Sequence, residues 1–153
     1  MYSRADALRL AALIARRFEE PTPLSPLPKI LEFIVFGSTS RGKRNRVSDL
    51  DIALLADYQG CRDCRFIFFP SRLREILREL KSAGLPPVPV DFEPFWIRVL
   101  WDAKVQKFYR GAYKDPQFVP NVLRSFLRWD PRTGDFKRAD RAYLNKYMPK
   151  SPV

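Results

Sequence analysis

Apolar and polar positions along this chain switch between helical and strand-like spacing, and the switches mark its elements. Leu8, Ala11, Ala12, Ala15 and Phe18 recur at helical spacing. Ser3 stands as N-cap with Asp6 in a capping-box position, which predicts a helix ending near residue 20. The prolines of PTPLSPLP, residues 21–28, break it. Residues 29–36, KILEFIVF, are dense in branched and aromatic side chains and predict a strand, closed by Gly37-Ser38 with a short helical turn after it. A basic loop over 41–46 leads to a second apolar strand over 49–56. Residues 57–69 read as irregular, with FIFF at 66–69 as a short strand or packed loop.

A helix capped by Ser71 runs to about residue 83, where Gly84 and the prolines beyond it stop the pattern. VPVDF, 88–92, predicts a third strand, followed by a helix from about 94 to 104 and a strand-like VQKFY. Two helical patterns, 116–129 and 135–148, close the chain around a turn at 131–134. The expected class is α+β, a small mixed β-sheet flanked by helices. Residues 1–115 are expected to form the main domain, with 116–153 as a basic helical extension packed on it.

Length and composition narrow the class without naming a function. A chain of 153 residues with 46% hydrophobic positions has the material for one domain with a real core. No apolar run approaches the roughly 20 residues that span a bilayer. The amino-terminal segment carries charges throughout its apolar positions, so it reads as a helix and not a signal peptide. A cytoplasmic protein with no membrane partner is expected. Fourteen prolines are compatible with a thermophilic source.

The net charge of +11 is uneven: residues 104–153 hold 12 basic and 4 acidic side chains, or +8. Such a field favours a polyanionic partner, such as nucleic acid, nucleotide phosphates or an acidic protein. A solvated arginine-rich surface is the plainer reading of the same residues. Cys61 and Cys64 have no histidine and no third cysteine to join them, which argues against a closed zinc site within one chain and leaves one metal shared by a dimer as the alternative zinc reading. A loop disulfide and two ordinary thiols both stay open.

The candidate chemistry lies between Phe36 and Leu54. Asp49 and Asp51 are one residue apart where an apolar strand begins, so their side chains share a face. Paired carboxylates repel unless water, a basic partner or a cation compensates, and oxygen ligands of this kind suit Mg²⁺. Asp91, amid apolar neighbours in the third strand, completes a three-carboxylate cluster if that strand lies beside the second. Glu93 is the competing candidate. Gly37 lets the chain turn sharply and approach a ligand, and the Ser38 hydroxyl and nearby backbone N–H groups would face an anion. Arg41, Lys43 and Arg44 follow as phosphate contacts or as a solvated basic loop.

A strand ending in Gly-Ser, ten residues, Asp-Leu-Asp-Ile and a later strand aspartate together resemble the polymerase-beta-like nucleotidyltransferase superfamily. The small stand-alone minimal nucleotidyltransferases are the nearest group in pattern, and Arg41-Gly42 matches an Arg-Gly they often carry. The resemblance covers about residues 29–110. It implies a palm-like fold in which Gly37 and Ser38 hold the triphosphate of ATP or another NTP. Asp49 and Asp51 would bind two Mg²⁺ ions, or Mn²⁺ in their stead. Asp91 would bind the catalytic ion and help deprotonate the acceptor. The implied reaction moves a nucleoside monophosphate, AMP from ATP, onto an acceptor. In antitoxin-like members that acceptor is a HEPN-domain toxin protein. Aminoglycoside-type small-molecule transfer, and a non-catalytic module binding RNA or a partner through the basic tail, are the alternatives.

Overall fold

The computed structural model describes residues 1–20, 30–42, 45–56, 68–85, 88–93 and 124–147. A two-residue strand β1 (Tyr2–Ser3) precedes helix α1 (Arg4–Glu19), whose N-cap Ser3 accepts the Asp6 backbone N–H at 3.3 Å. Strand β2 (Ile30–Phe36) leads through helix α2 (Gly37–Arg41) and strand β3 (Arg46–Val47) into β4 (Leu50–Ala56). Helix α3 (Phe69–Ser82) and strand β5 (Val90–Glu93) follow. Strands β6 (Ser125–Asp130) and β7 (Asp135–Asp140) precede a 3₁₀ helix over Arg141–Tyr147.

Five strands form one mixed sheet in the order β5-β4-β2-β6-β7, parallel at β4–β5 and antiparallel elsewhere. The pair β1–β3 is a separate antiparallel clip. Alternation along β2 and β4 sends Phe33, Val35, Ile52 and Leu54 to one face, where they join Leu10 and Ile14 of α1 and Phe69, Leu73 and Ile76 of α3 in one core. Ile34, Ala53 and Leu55 point the other way and are also buried. The α1 stripe centres on Ala7, Leu10, Ala11, Ile14 and Ala15, with Leu8, Ala12 and Phe18 only partly buried at its margin. The helix is thus rotated slightly from the expected face. Helix α3 starts at Phe69, so the FIFF segment ends inside a helix, with Pro70 in the first turn where no backbone donor is needed. Among the described residues, no helix is long and apolar enough to cross a membrane.

The carboxy-terminal segment departs from the helical extension expected over 116–153. Residues 125–140 form a β-hairpin, and β6 lies directly against β2. The turn expected at 131–134 is present, but it joins strands. Gly134 takes φ +67° and donates its N–H to the Asp130 carbonyl at 2.8 Å. The misleading signal has a physical cause. Phe126, Leu127, Trp129 and Asp130 are all buried because β6 is an inner strand covered on both faces, so its apolar positions show no simple alternation. Trp129 sits in the core, and its indole N–H donates to Glu19 Oε1 at 2.6 Å. The hairpin is therefore part of the main sheet and its core. The helix and strand expected over 94–109, the connector 21–28, and Cys61 and Cys64 lie outside the described residues.

Candidate metal centre

Antiparallel pairing brings the end of β2 beside the start of β4, with Phe36 opposite Asp51. Parallel pairing then sets Asp91 of β5 opposite Asp51. Opposed residues share a sheet face, so these two carboxylates stand together. Asp49, just before β4, joins them, and one ligand oxygen from each of Asp49, Asp51 and Asp91 lies within 4.8 Å of the others. Glu93 is registered against Ala53, one strand repeat further on, so register favours Asp91 as the third member.

Gly37 closes the other side of the cluster. Its φ is +68°, and a Cβ built there would collide with the Asp51 carboxylate. Glycine is thus required twice, by backbone conformation and by the closeness of Asp51. Ser38 follows, half-buried, in the first turn of α2. Thr39 is fully buried and its Oγ1 donates to the Asp49 carbonyl at 3.0 Å, while Ser40 Oγ donates to the Gly37 carbonyl at 2.8 Å. The Thr39 hydroxyl fastens the turn to the acidic strand, and the Ser40 hydroxyl closes the turn on itself. Sequence reasoning missed them, because small polar residues in a five-residue helix carry no periodicity. Arg41 is exposed at the far end of α2, about 6 Å along the helix axis from Gly37. Lys43 and Arg44 lie outside the described residues.

The electrostatics of the cluster follow from its packing. Asp49 and Asp51 are half-buried and Asp91 is exposed. The Asp49 pKa is raised, first by burial, then by the charge of Asp91 and a hydrogen bond with it, and is partly restored by the Ser48 hydroxyl. The donor set is all carboxylate oxygen, the chemistry that suits Mg²⁺. Oxygens bound to one octahedral Mg²⁺ at about 2.1 Å are roughly 3.0–4.2 Å apart, so small side-chain rotations bring this trio within reach of a shared ion. Comparison with protein-family models, with curated proteins and with solved structures finds no match to this chain.

Proposed function

We propose that this protein is a Mg²⁺-dependent nucleotidyltransferase. One observation carries the reading: Asp51 and Asp91 face each other on adjacent parallel strands with Asp49 beside them, and Gly37 is pressed against the Asp51 carboxylate. The turn that would receive phosphates and the carboxylates that would hold their counter-ions thus form one continuous surface. It matches the order of motifs that resembles the minimal nucleotidyltransferases.

In this reading Asp49, Asp51 and Asp91 hold Mg²⁺, two ions when the site is full. The metal supplies charge neutralisation for the triphosphate and the leaving pyrophosphate. Gly37 and Ser38 offer backbone N–H groups and a hydroxyl to the phosphates, assisted by Arg41, Lys43 and Arg44. Asp91, the most exposed of the three, accepts the proton of the acceptor hydroxyl. That oxygen attacks the α-phosphorus, the bond to the β-phosphate oxygen breaks, and pyrophosphate leaves. The products are an acceptor bearing a nucleoside monophosphate and free pyrophosphate, with AMP from ATP as the favoured donor pair. A protein hydroxyl, such as a tyrosine of a HEPN-type toxin partner, is the acceptor class the family resemblance favours.

The test is transfer of label from [α-³²P]ATP with Mg²⁺ to the protein that co-purifies with this chain. Asp51→Asn and Gly37→Ala are each expected to reduce transfer by at least about a hundredfold, the scale on which charge-stabilising groups act. Transfer that persists in Asp51→Asn, or no transfer by the wild type, overturns the reading.

A further inference from the structure

Helix α2 has five residues, so most of its backbone groups lack partners inside it. Two of its carbonyls are met by arginines from distant parts of the chain. Arg4, the first residue of α1, donates from Nε to the Thr39 carbonyl at 2.8 Å, and its own backbone N–H donates to the Asn45 carbonyl at 2.7 Å. Arg138 of β7 donates from Nη2 to the Ser40 carbonyl and from Nη1 to Ser125 Oγ at 2.8 Å. Guanidinium groups at the carboxyl end of a helix complement both the orphan carbonyls and the helix dipole. Through Thr39 Oγ1 the same helix is hydrogen-bonded to the Asp49 backbone, and at its start Gly37 abuts Asp51.

We propose that Arg4 and Arg138 are positioning residues of the carboxylate site, clamping α2 so that Gly37 and Thr39 hold Asp51 and Asp49 in ligand geometry. The inference rests on the reading of Asp49, Asp51 and Asp91 as metal ligands, and it gives the carboxy-terminal hairpin a role at that site. Neither arginine touches the carboxylates. Each acts through backbone carbonyls that a planar, multiply donating side chain satisfies. Arg138 reaches two acceptors on different elements from two separate nitrogens, whereas the donors of a lysine there would all sit on one nitrogen.

The experiment uses the full chain and Mn²⁺ as probe, with binding followed by electron paramagnetic resonance and backbone exchange followed by hydrogen–deuterium mass spectrometry. Arg138→Ala and Arg4→Ala are expected to weaken Mn²⁺ binding about tenfold, the lower end of what loss of an outer supporting partner costs a metal site. Arg138→Lys is expected to recover part of that loss. Amide exchange should rise in 37–41 and 49–51, with the core strand segments 33–35 and 52–54 unchanged. If exchange rises equally across the sheet, the arginines are general stabilisers and the proposal fails. It also fails if 37–41 is unaffected. Wild-type protein that binds no Mn²⁺, yet shows the localised exchange response, removes the metal reading while the clamp on α2 stands.

Discussion

Asp49 is held at the junction of two demands that oppose each other. Its backbone carbonyl is fixed by Thr39, while its side chain is half-buried beside Asp91. Burial and the neighbouring charge raise its pKa, so the folded protein binds the Asp49 proton more tightly than the unfolded chain. The stability that Asp49 contributes relative to Asp49→Asn should therefore fall as pH rises from the ordinary carboxylate range, about 4, through the raised value. Above that window the difference should be constant. At pH 7 without divalent ions, Asp49→Asn is expected to be the more stable protein, by up to about 1 kcal/mol, the scale of one like-charge contact. Saturating Mg²⁺ favours the ionised form and should reverse the order. Urea unfolding from pH 4 to 8, with and without Mg²⁺, measures both trends. An unchanged order with Mg²⁺ would mean that Asp49 does not ligate the ion.

At the level of elements, the hairpin shows what local pattern carries and what it omits. The strand over 29–36, the acidic strand after it and the third strand at 88–92 were legible because branched residues flanked by glycine and proline mark them. The trio Asp49, Asp51 and Asp91 could be named from the same pattern. Their assembly depends on register, Phe36 against Asp51 against Asp91, which no single segment encodes. Strand β6 was misread because its burial on both faces hides a period of two, and Arg128 within it resembles a helix surface position. The turn between β6 and β7 is anchored by Asp130, which accepts the Arg132 backbone N–H at 2.9 Å and pairs with Lys137 Nζ at 2.6 Å. The hydrogen bond from Lys137, and then that from Arg132, hold the Asp130 pKa below its ordinary value. Its contribution is thus fully present above the ordinary carboxylate pKa and is lost as pH falls through the depressed one. The stability gap between wild type and Asp130→Asn should be constant from pH 5 to 7 and shrink below about pH 4. A gap that does not change down to pH 2 would show that the carboxylate charge plays no part in holding the turn.

Across the whole molecule, four of the seven basic side chains in residues 124–147 are engaged by the fold. Lys137 pairs with Asp130, and Arg138 bridges Ser40 and Ser125. The Arg128 guanidinium lies 4.6 Å over the Tyr143 ring. Lys146 donates to the Tyr143 hydroxyl at 2.9 Å, and that hydroxyl donates to the buried Glu32 at 2.5 Å. A polyanion docking on this surface would have to draw these groups away from partners that also hold the hairpin in the sheet. Net charge alone would attract RNA weakly, since phosphate neutralisation needs no specific site. The two classes of function therefore separate in the salt dependence. If the segment serves the sheet and the carboxylate site, single-stranded RNA binding should show a slope of log K against log salt no steeper than about −2, or roughly three phosphates at 0.7 per contact. A slope near −5 or steeper would mean about seven phosphate contacts, of which residues 124–147 could supply only three, from Arg124, Arg132 and Arg141, with Lys137, Arg138, Arg128 and Lys146 still on their partners. That result would make the hairpin a nucleic-acid surface first and a support for the site second. Fluorescence anisotropy with a labelled oligonucleotide between 50 and about 300 mM salt, a range over which such binding changes strongly, distinguishes them.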